Sequence, residues 1–286
     1  MSIKSFIHKI KMGFIRKREN SLPYVSPAKK YGNIGEFKFV NLLRHALPMC
    51  KIKQNVLIDT MDGNAEIDCL ILYHNKIFAI EVKHWKGRLI EKDYGFIQEK
   101  TDRWTGEKHI KSQRSPFKQL NRAVYLLKNM IPSAVWINSV VFFDDDEFEG
   151  VDTLSSNVWF DDIEQLTQYI INDGRTSTTT IAEKFFEKCI AADYLYSKSW
   201  EKSLLCIIEN DSLKFQTVNG EITREDIHSI HIEHHWSYDN LNITLKDRTT
   251  CCIAIENAKV TVRDNGMIHI YGMSKLDYIE LGEYQS

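Results

Sequence analysis

The sequence lacks the features that identify a secreted or membrane-spanning protein. Its six cysteines form no Cys-x-x-Cys pair, and Cys69 and Cys206 lie inside apolar runs, where a free thiol behaves as a small hydrophobe. The N-terminal residues show no secretory signal, so we expect a reducing, cytoplasmic environment. No apolar run approaches the length needed to span a bilayer. With 286 residues, 43% hydrophobic and 27% charged, the chain suits one or two packed domains.

The net charge is small, at −2, but it is unevenly divided along the chain. Residues 1–130 contain 25 Lys and Arg against 12 Asp and Glu, whereas residues 131–286 contain 12 against 27. A basic half indicates an anionic partner, with nucleic acid as the leading candidate. Segregation of charge between two domains, with no such partner, would give the same totals, and both interpretations stay open.

Two apolar stretches, Glu66–Tyr73 and Lys76–Lys83, are separated by only two residues. Both lack Gly and Pro and are rich in β-branched and aromatic residues, which predicts two β-strands. A two-residue connection allows only a tight antiparallel hairpin. We therefore expect Tyr73 to pair with Lys76, and this pairing fixes the register of the whole hairpin.

That register brings three charged side chains together at one end of the hairpin. Asp68 falls opposite Glu81, and Lys83 shares the face of Glu81 two residues further on. Opposed like charges repel, and a divalent cation would relieve the repulsion, because Mg²⁺ is held by one or two carboxylates plus substrate phosphates. The alternative is a solvated hairpin end with ordinary surface charges, and a three-residue loop at His74-Asn75 would shift the register by one.

These residues resemble the PD-(D/E)xK nuclease superfamily and, more closely, the NERD (nuclease-related domain) family. The matching elements occur in order over about residues 30–165: Gly35-Glu36, Ile67-Asp68, Ile80-Glu81-Val82-Lys83 followed by Gly87, Trp104, and Pro116-Phe117-Lys118-Gln119. Cys69 departs from the family, which more often has histidine after the aspartate. The resemblance implies a restriction-endonuclease-like α/β core with a mixed sheet. It also implies Mg²⁺- or Mn²⁺-dependent hydrolysis of phosphodiester bonds in nucleic acid, with DNA preferred over RNA.

The resemblance assigns the central catalytic roles to the hairpin. Asp68 and Glu81 would hold the metal, with the carbonyl of Val82 as a further ligand. Lys83 would stabilise the attacking hydroxide or the charge of the transition state. The intact set favours catalysis over a purely binding role, because a binding surface gains nothing from an opposed carboxylate pair.

Two further residues receive roles from the resemblance alone. Glu36 would help to hold the metal or its waters, and Gln119 would orient the attacking water or a phosphate oxygen. Each residue also has an ordinary structural interpretation, without a catalytic role. Glu36 lies near the start of a helix predicted from about Ile34 to Leu47, where the helix dipole favours its charge. Gln119, on its structural interpretation, is an ordinary solvated residue of the helix that begins at Ser115-Pro116.

Residues 84–114 are polar and basic with interleaved aromatic residues, and we expect a long functional loop there. This composition suits contact with a nucleic-acid strand through stacking and phosphate pairing, although a tryptophan is more often part of a core. The candidate nucleic-acid contacts are Lys86, Arg88 and Trp104 in this stretch, and Lys118 and Arg122 on the following helix.

We divide the chain into four parts: residues 1–29, 30–175, 176–202 and 203–286. The first is a basic amphipathic segment and linker, in which residues 1–18 would dock on the protein's own core or, alternatively, make weak contact with a membrane surface or DNA. The second is the nuclease-like domain, and the third is a connecting helix. The fourth is a small all-β domain, a sandwich or barrel.

One further cluster lies in the all-β part. His231, Glu233 and His235 share one strand face, but a polar outer face is favoured over a metal site because structural zinc usually needs a fourth ligand.

The sequence as a whole predicts a Mg²⁺-dependent nuclease, acting in DNA processing or in defence against foreign DNA. A catalytically inactive, nuclease-derived binding module and a membrane-associated scaffold are the alternatives.

Overall fold

A computed structural model of the protein describes residues 27–92, 95–102, 104–130, 135–153, 156–200, 204–217 and 220–282. The amphipathic segment predicted over residues 1–18 lies outside these ranges. The helices of the described part are α1 (Pro27–Ala46), α2 (Pro116–Asn129), α3 (Ile163–Asn172) and α4 (Thr179–Lys188). Its strands are β1 (Lys51–Thr60), β2 (Gly63–Tyr73), β3 (Lys76–Lys83), β4 (Gly87–Lys92), β5 (Gly95–Thr101), β6 (Lys108–Gln113), β7 (Ile137–Phe143), β8 (Phe148–Asp152), β9 (Trp159–Phe160), β10 (Ile190–Ala191), β11 (Asp193–Tyr196), β12 (Leu204–Ile208), β13 (Lys214–Thr217), β14 (Gly220–Thr223), β15 (Ile227–His234), β16 (Asp239–Leu245), β17 (Thr250–Ile255), β18 (Lys259–Asp264), β19 (Met267–Gly272) and β20 (Tyr278–Glu280).

A six-stranded mixed sheet in the order β10-β1-β2-β3-β7-β9 lies at the centre of the N-terminal region. The strands β1, β2 and β3 are antiparallel to one another, whereas β7 is parallel to β3 and β9 is parallel to β7. Helices cover both faces of the sheet, which explains why β3 is buried along six consecutive residues. The helix residues on one face are Phe39, Val40 and Leu43 of α1 with Leu166 and Ile170 of α3. Those on the other are Leu120, Ala123 and Leu127 of α2 with Ala182, Phe185 and Phe186 of α4.

The hairpin of β2 and β3 has the predicted register. Tyr73 pairs with Lys76, and the pairing continues to Cys69 and Ile80. His74 makes the two-residue turn with a φ of 52°, in the left-handed region that such turns require. Asp68 and Glu81 therefore follow directly after the last ladder pair.

The long functional loop expected over residues 84–114 is wrong, because the chain there forms strands. These strands build a second sheet in the order β6-β5-β4-β8. Gly87 begins the first of them with a φ of +76°, and a Cβ at this position would lie 2.1 Å from the carbonyl oxygen of Glu99. Among the described residues of this sheet, Leu89 and Phe96 are the buried hydrophobics, Phe148 and Val151 are partly buried against the core, and β6 is almost entirely exposed. The sequence therefore carries little of the hydrophobic alternation that identifies strands.

The connecting helix predicted over residues 176–202 is too long. Helix α4 ends at Lys188, and β10 and β11 follow it. The residues Asp193–Tyr196 alternate between buried and half-buried, which is the period-two pattern of a strand with one face on a core.

The C-terminal region contains an eight-stranded antiparallel sheet in the order β17-β16-β15-β20-β11-β12-β18-β19, with a separate β13-β14 hairpin. It encloses its own apolar core, which includes Leu195, Ile230, Leu241 and Val262. A mixed α/β core followed by a separate all-β region confirms the predicted fold class.

The C-terminal region packs beside the second half of β1, from Val56 onward. Val56 of β1 pairs with Ala191 of β10, and Leu57 packs in a small apolar cluster with Ala192 and Ile207. At the far end of β1, Asp59 accepts a hydrogen bond of 3.0 Å from the amide of Gly266. The all-β region therefore lies close to the Asp68 end of the hairpin.

Candidate active site

Glu81 is the central side chain of the candidate site. It lies near the end of β3 and has no exposure to solvent. Its Oε1 accepts hydrogen bonds from the ammonium of Lys83 and, at 2.5 Å, from Nε2 of Gln119. Its Oε2 is also buried, but it has no hydrogen-bond partner within the described part of the chain. A buried carboxylate oxygen without a donor is unfavourable, so this oxygen is suited to a ligand.

Asp68 lies where the ladder between β1 and β2 is interrupted. Gln54 pairs with Cys69 and Val56 with Ile67, but the intervening Asn55 and Asp68 are left out of the ladder. Asn55 has a φ of +49°, a left-handed conformation that asparagine tolerates better than most residues. The carboxylate of Asp68 accepts a hydrogen bond of 2.8 Å from the amide of Val82, and this bond fixes it beside Glu81.

Burial raises the pKa values of both carboxyl groups, and the charge of Asp68 adds to the rise at Glu81. Burial is the larger cause for Glu81, and with the nearby charge of Asp68 it raises the pKa to about 8. Burial likewise raises the pKa of Asp68. For Lys83, burial lowers the pKa, but the charges of Glu81 and Asp68 outweigh it and the net shift is upward. The cluster therefore favours one extra proton, or a bound cation, near neutral pH.

The amino end of α2 brings Gln119 to Glu81, as the predicted helix start allows. Ser115 caps the helix by accepting a hydrogen bond of 3.2 Å from the amide of Lys118, and Pro116 occupies the first turn. Lys118 and Arg122 are exposed and four residues apart, so they share one face of α2. Arg122 also donates a hydrogen bond of 3.4 Å to the carbonyl of Asp62.

The glycine of the Gly35-Glu36 motif is needed for a steric reason. A Cβ on Gly35 would lie 1.9 Å from Cε1 of His84, so only glycine lets α1 approach the end of β3. His84 is held in turn by Asp144, whose backbone carbonyl lies 2.9 Å from Nδ1 of the ring. Glu36 follows and lines a cavity shared with the C-terminal region, while its charge helps to raise the pKa of Lys83.

The three predicted nucleic-acid contacts that precede α2 in the sequence, Lys86, Arg88 and Trp104, differ in their exposure and in their partners. Trp104, in the turn between β5 and β6, is 96% exposed, whereas Trp85 packs against Phe143. The guanidinium of Arg88 forms a two-point ion pair with Asp152, and Nζ of Lys86 lies 3.4 Å from Glu147. These pairs are half-exposed, so they would exchange readily for phosphate contacts.

The predicted cluster of His231, Glu233 and His235 lies on β15 and the turn that follows it. No three His, Cys, Asp or Glu side chains within the described ranges converge to hold a metal ion. His235 instead stacks on Tyr238 at 4.6 Å between ring centroids and lies 3.1 Å from the side-chain amide of Asn240.

Sequence reasoning missed the residues through which the C-terminal region reaches the site. The hydroxyl of Tyr194 donates a hydrogen bond of 2.7 Å to Glu66, two residues before Asp68. Burial and the charge of Glu66 raise the pKa of Tyr194. Glu66 adds in turn to the rise in the pKa of Glu81. No local pattern could reveal this contact, since the two residues are 128 positions apart.

Comparison with protein families identifies the N-terminal region. Residues 31–144 match the family model of the nuclease-related domain, NERD. This span includes Glu36, Asp68, Glu81, Lys83 and Gln119. Neither a curated protein nor a solved structure matches the chain. The structure also contains, within its described residues, no helix long and apolar enough to cross a membrane. Residues 31–144 therefore match the nuclease-related domain family, and we call them the nuclease-related domain.

Proposed function

We propose, from the nuclease-related domain in residues 31–144, that this protein is a divalent-metal-dependent nuclease that hydrolyses phosphodiester bonds in nucleic acid. The observation that carries the proposal is the carboxylate of Glu81. It is fully buried, one of its oxygens has no donor in the described structure, and its pKa is raised to about 8. Such perturbed groups concentrate at functional sites.

The donor set fits a hard divalent cation such as Mg²⁺ or Mn²⁺. Asp68 and Glu81 would supply two carboxylates, and the carbonyl of Val82 would be a third oxygen ligand. A cation bound there supplies an activated water and offsets negative charge on the phosphate. It would also remove the repulsion that raises the pKa of Glu81.

Lys83 and Gln119 would act on the reacting groups from the protein side. The ammonium of Lys83 already contacts Glu81, and one fifth of this lysine side chain remains exposed to solvent. It can therefore reach a phosphate oxygen or an attacking hydroxide while it stays anchored. Gln119 fixes the orientation of the Glu81 carboxylate through its hydrogen bond to Oε1, and it would position a water or a phosphate oxygen.

DNA is the substrate that we propose, with RNA as the less favoured alternative. The basic first half of the chain supports an anionic polymer, and Lys118 and Arg122 lie on the helix that carries Gln119. Lys86, Arg88 and Trp104 would extend the contact along the strand. We further propose a cytoplasmic role in DNA processing or in defence against foreign DNA.

A nuclease assay tests the proposal most simply. Plasmid, linear duplex and single-stranded DNA would be incubated with the protein in Mg²⁺, in Mn²⁺ and in chelator. We expect cleavage only with metal, and we expect Lys83→Ala to reduce it about 100-fold or more while nucleic-acid binding largely persists. Lys92→Ala is the matched control, since it removes an exposed lysine of the same domain. Equal cleavage by Lys83→Ala and wild type would refute the catalytic assignment.

A further inference from the structure

A cavity of about 240 Å³ lies between the nuclease-related domain and the C-terminal β-rich region. Glu36, Gln54 and Asn55 line it from one side. The lining residues of the other side include Tyr194, His228, Arg248 and Glu280. Most of these side chains are polar or charged, so the cavity is suited to a polar ligand rather than an apolar one.

The cavity adjoins the candidate catalytic cluster. Asn55 is level with Asp68 in the register where the β1–β2 ladder is interrupted. Tyr194 is hydrogen-bonded to Glu66, two residues from Asp68 on the same strand. Glu36 lines the cavity and its charge helps to raise the pKa of both Lys83 and Tyr194, so it lies near both.

Arg248 is the unusual residue of this wall. It lies in the turn between β16 and β17 with a φ of +71°, where glycine or asparagine is the favoured residue. Arginine in this conformation is strained, because its Cβ crowds the following carbonyl oxygen. Asn55, on the opposite wall, is also left-handed. Strained backbone of this kind persists at functional sites more often than elsewhere, because the side chain is needed there.

The electrostatics of the cavity favour a phosphate contact for Arg248. It is the arginine among lining residues that include the carboxylates Glu36 and Glu280, and the described structure records no ion pair for its exposed guanidinium. A planar guanidinium binds phosphate oxygens through two parallel hydrogen bonds. Without such a cation, a phosphate entering between these carboxylates would be repelled.

We propose that the C-terminal β-rich region completes the candidate active site, and that Arg248 binds a backbone phosphate of the nucleic-acid substrate next to the Asp68–Glu81–Lys83 cluster. This inference rests on the proposed nuclease function and deepens it. The substrate would lie across the junction of the two regions, with the Arg248 turn against a phosphate neighbouring the one that reacts.

The test compares Arg248→Gly with wild type in chelator, so that no cleavage occurs. A fluorescent single-stranded oligonucleotide and its duplex would be titrated at several salt concentrations. We expect affinity to fall about ten-fold, and the slope of log affinity against log salt to decrease by about 0.7 to 0.9, the value for one lost phosphate contact. The melting temperature should not fall, because glycine relaxes the left-handed turn.

Lys246→Ala is the matched control, since it removes a positive charge two residues away that lines a different groove. It should bind as wild type does. Equal affinity of Arg248→Gly and wild type would overturn the proposal, and so would a loss of affinity that is matched by a fall in melting temperature. Either result leaves the nuclease proposal intact. Conversely, tight binding without metal-dependent cleavage by wild type would refute the nuclease proposal and not the Arg248 contact.

Discussion

Two carboxylates without solvent exposure, Asp193 in the β-rich region and Glu81 in the nuclease-related domain, have opposite surroundings. Both oxygens of Asp193 accept hydrogen bonds from the guanidinium of Arg224. In addition, Oδ1 accepts a hydrogen bond from the backbone amide of Gly282, and Oδ2 accepts one from the backbone amide of Ile208. Glu81 also has a cationic partner, because Lys83 donates to its Oε1, as Gln119 does, but it lies near the carboxylate of Asp68 and its Oε2 has no donor within the described residues.

The contrast shows that burial of a charge does not by itself identify a functional site. The Asp193 carboxylate is satisfied by an opposite charge and by one amide each from β12 and the C-terminal segment, so it serves the fold. The Glu81 carboxylate is repelled by the charge of Asp68, and one of its buried oxygens has no hydrogen-bond donor within the described residues. A proton or a further bound cation would offset the repulsion from Asp68, and this is the basis of the functional assignment.

The largest effect on stability is expected when the satisfied pair is broken. Arg224→Met should lower the free energy of unfolding by about 3–5 kcal/mol, because it leaves the buried charge of Asp193 unpaired. Urea unfolding followed by circular dichroism would measure it. The double variant Asp193→Asn/Arg224→Met is the control and should recover much of the loss, since neither charge remains. A loss below about 1 kcal/mol in the single variant would mean that the two sites do not differ as described.

A smaller effect is expected from pH at the other site. The pKa of Glu81 rises from 4.5 to about 8 on folding, so the folded protein binds a proton that the unfolded chain has released in this range. The stability contributed by this group is therefore present below pH 4.5 and is lost as pH rises towards 8.

Glu81→Gln removes this dependence while it preserves shape. In chelator, the stability of the variant relative to wild type should increase by about 2–4 kcal/mol between pH 5 and pH 8. Parallel stability curves for the two proteins would show that Glu81 titrates normally.

The core of the site could be predicted from sequence because its geometry is local. A two-residue turn fixes the pairing of Tyr73 with Lys76, and the alternation of strands then places Asp68 and Glu81 at the same end of the hairpin. Gln119 could be added only through the family resemblance. Its contact with Glu81 spans 38 residues and depends on how α2 packs on the sheet.

The remainder could not be predicted, for two physical reasons. Strand β6 lacks apolar alternation because it is exposed on both faces, and the polar, basic composition of residues 84–114 indicates a loop. The approach of Tyr194 and Arg248 to the candidate active site depends on the packing of two regions that are far apart in sequence. A strained arginine in a turn gives no signal in the sequence, since the strain is visible only in the backbone conformation.

The most direct test of the account is the thermal response of metal-free protein to Mn²⁺. Metal binds the folded site only, so wild type should gain about 2.7 kcal/mol at a Mn²⁺ concentration 100 times the dissociation constant. Asp68→Asn should melt in chelator at or above the wild-type temperature, because it removes the repulsion, and it should lose most of the metal response. Asp62→Asn, a change at an exposed carboxylate close to the same strand, is the control and should respond as wild type does. If wild type and Asp68→Asn respond identically to Mn²⁺, Asp68 is not a ligand and the central claim is wrong.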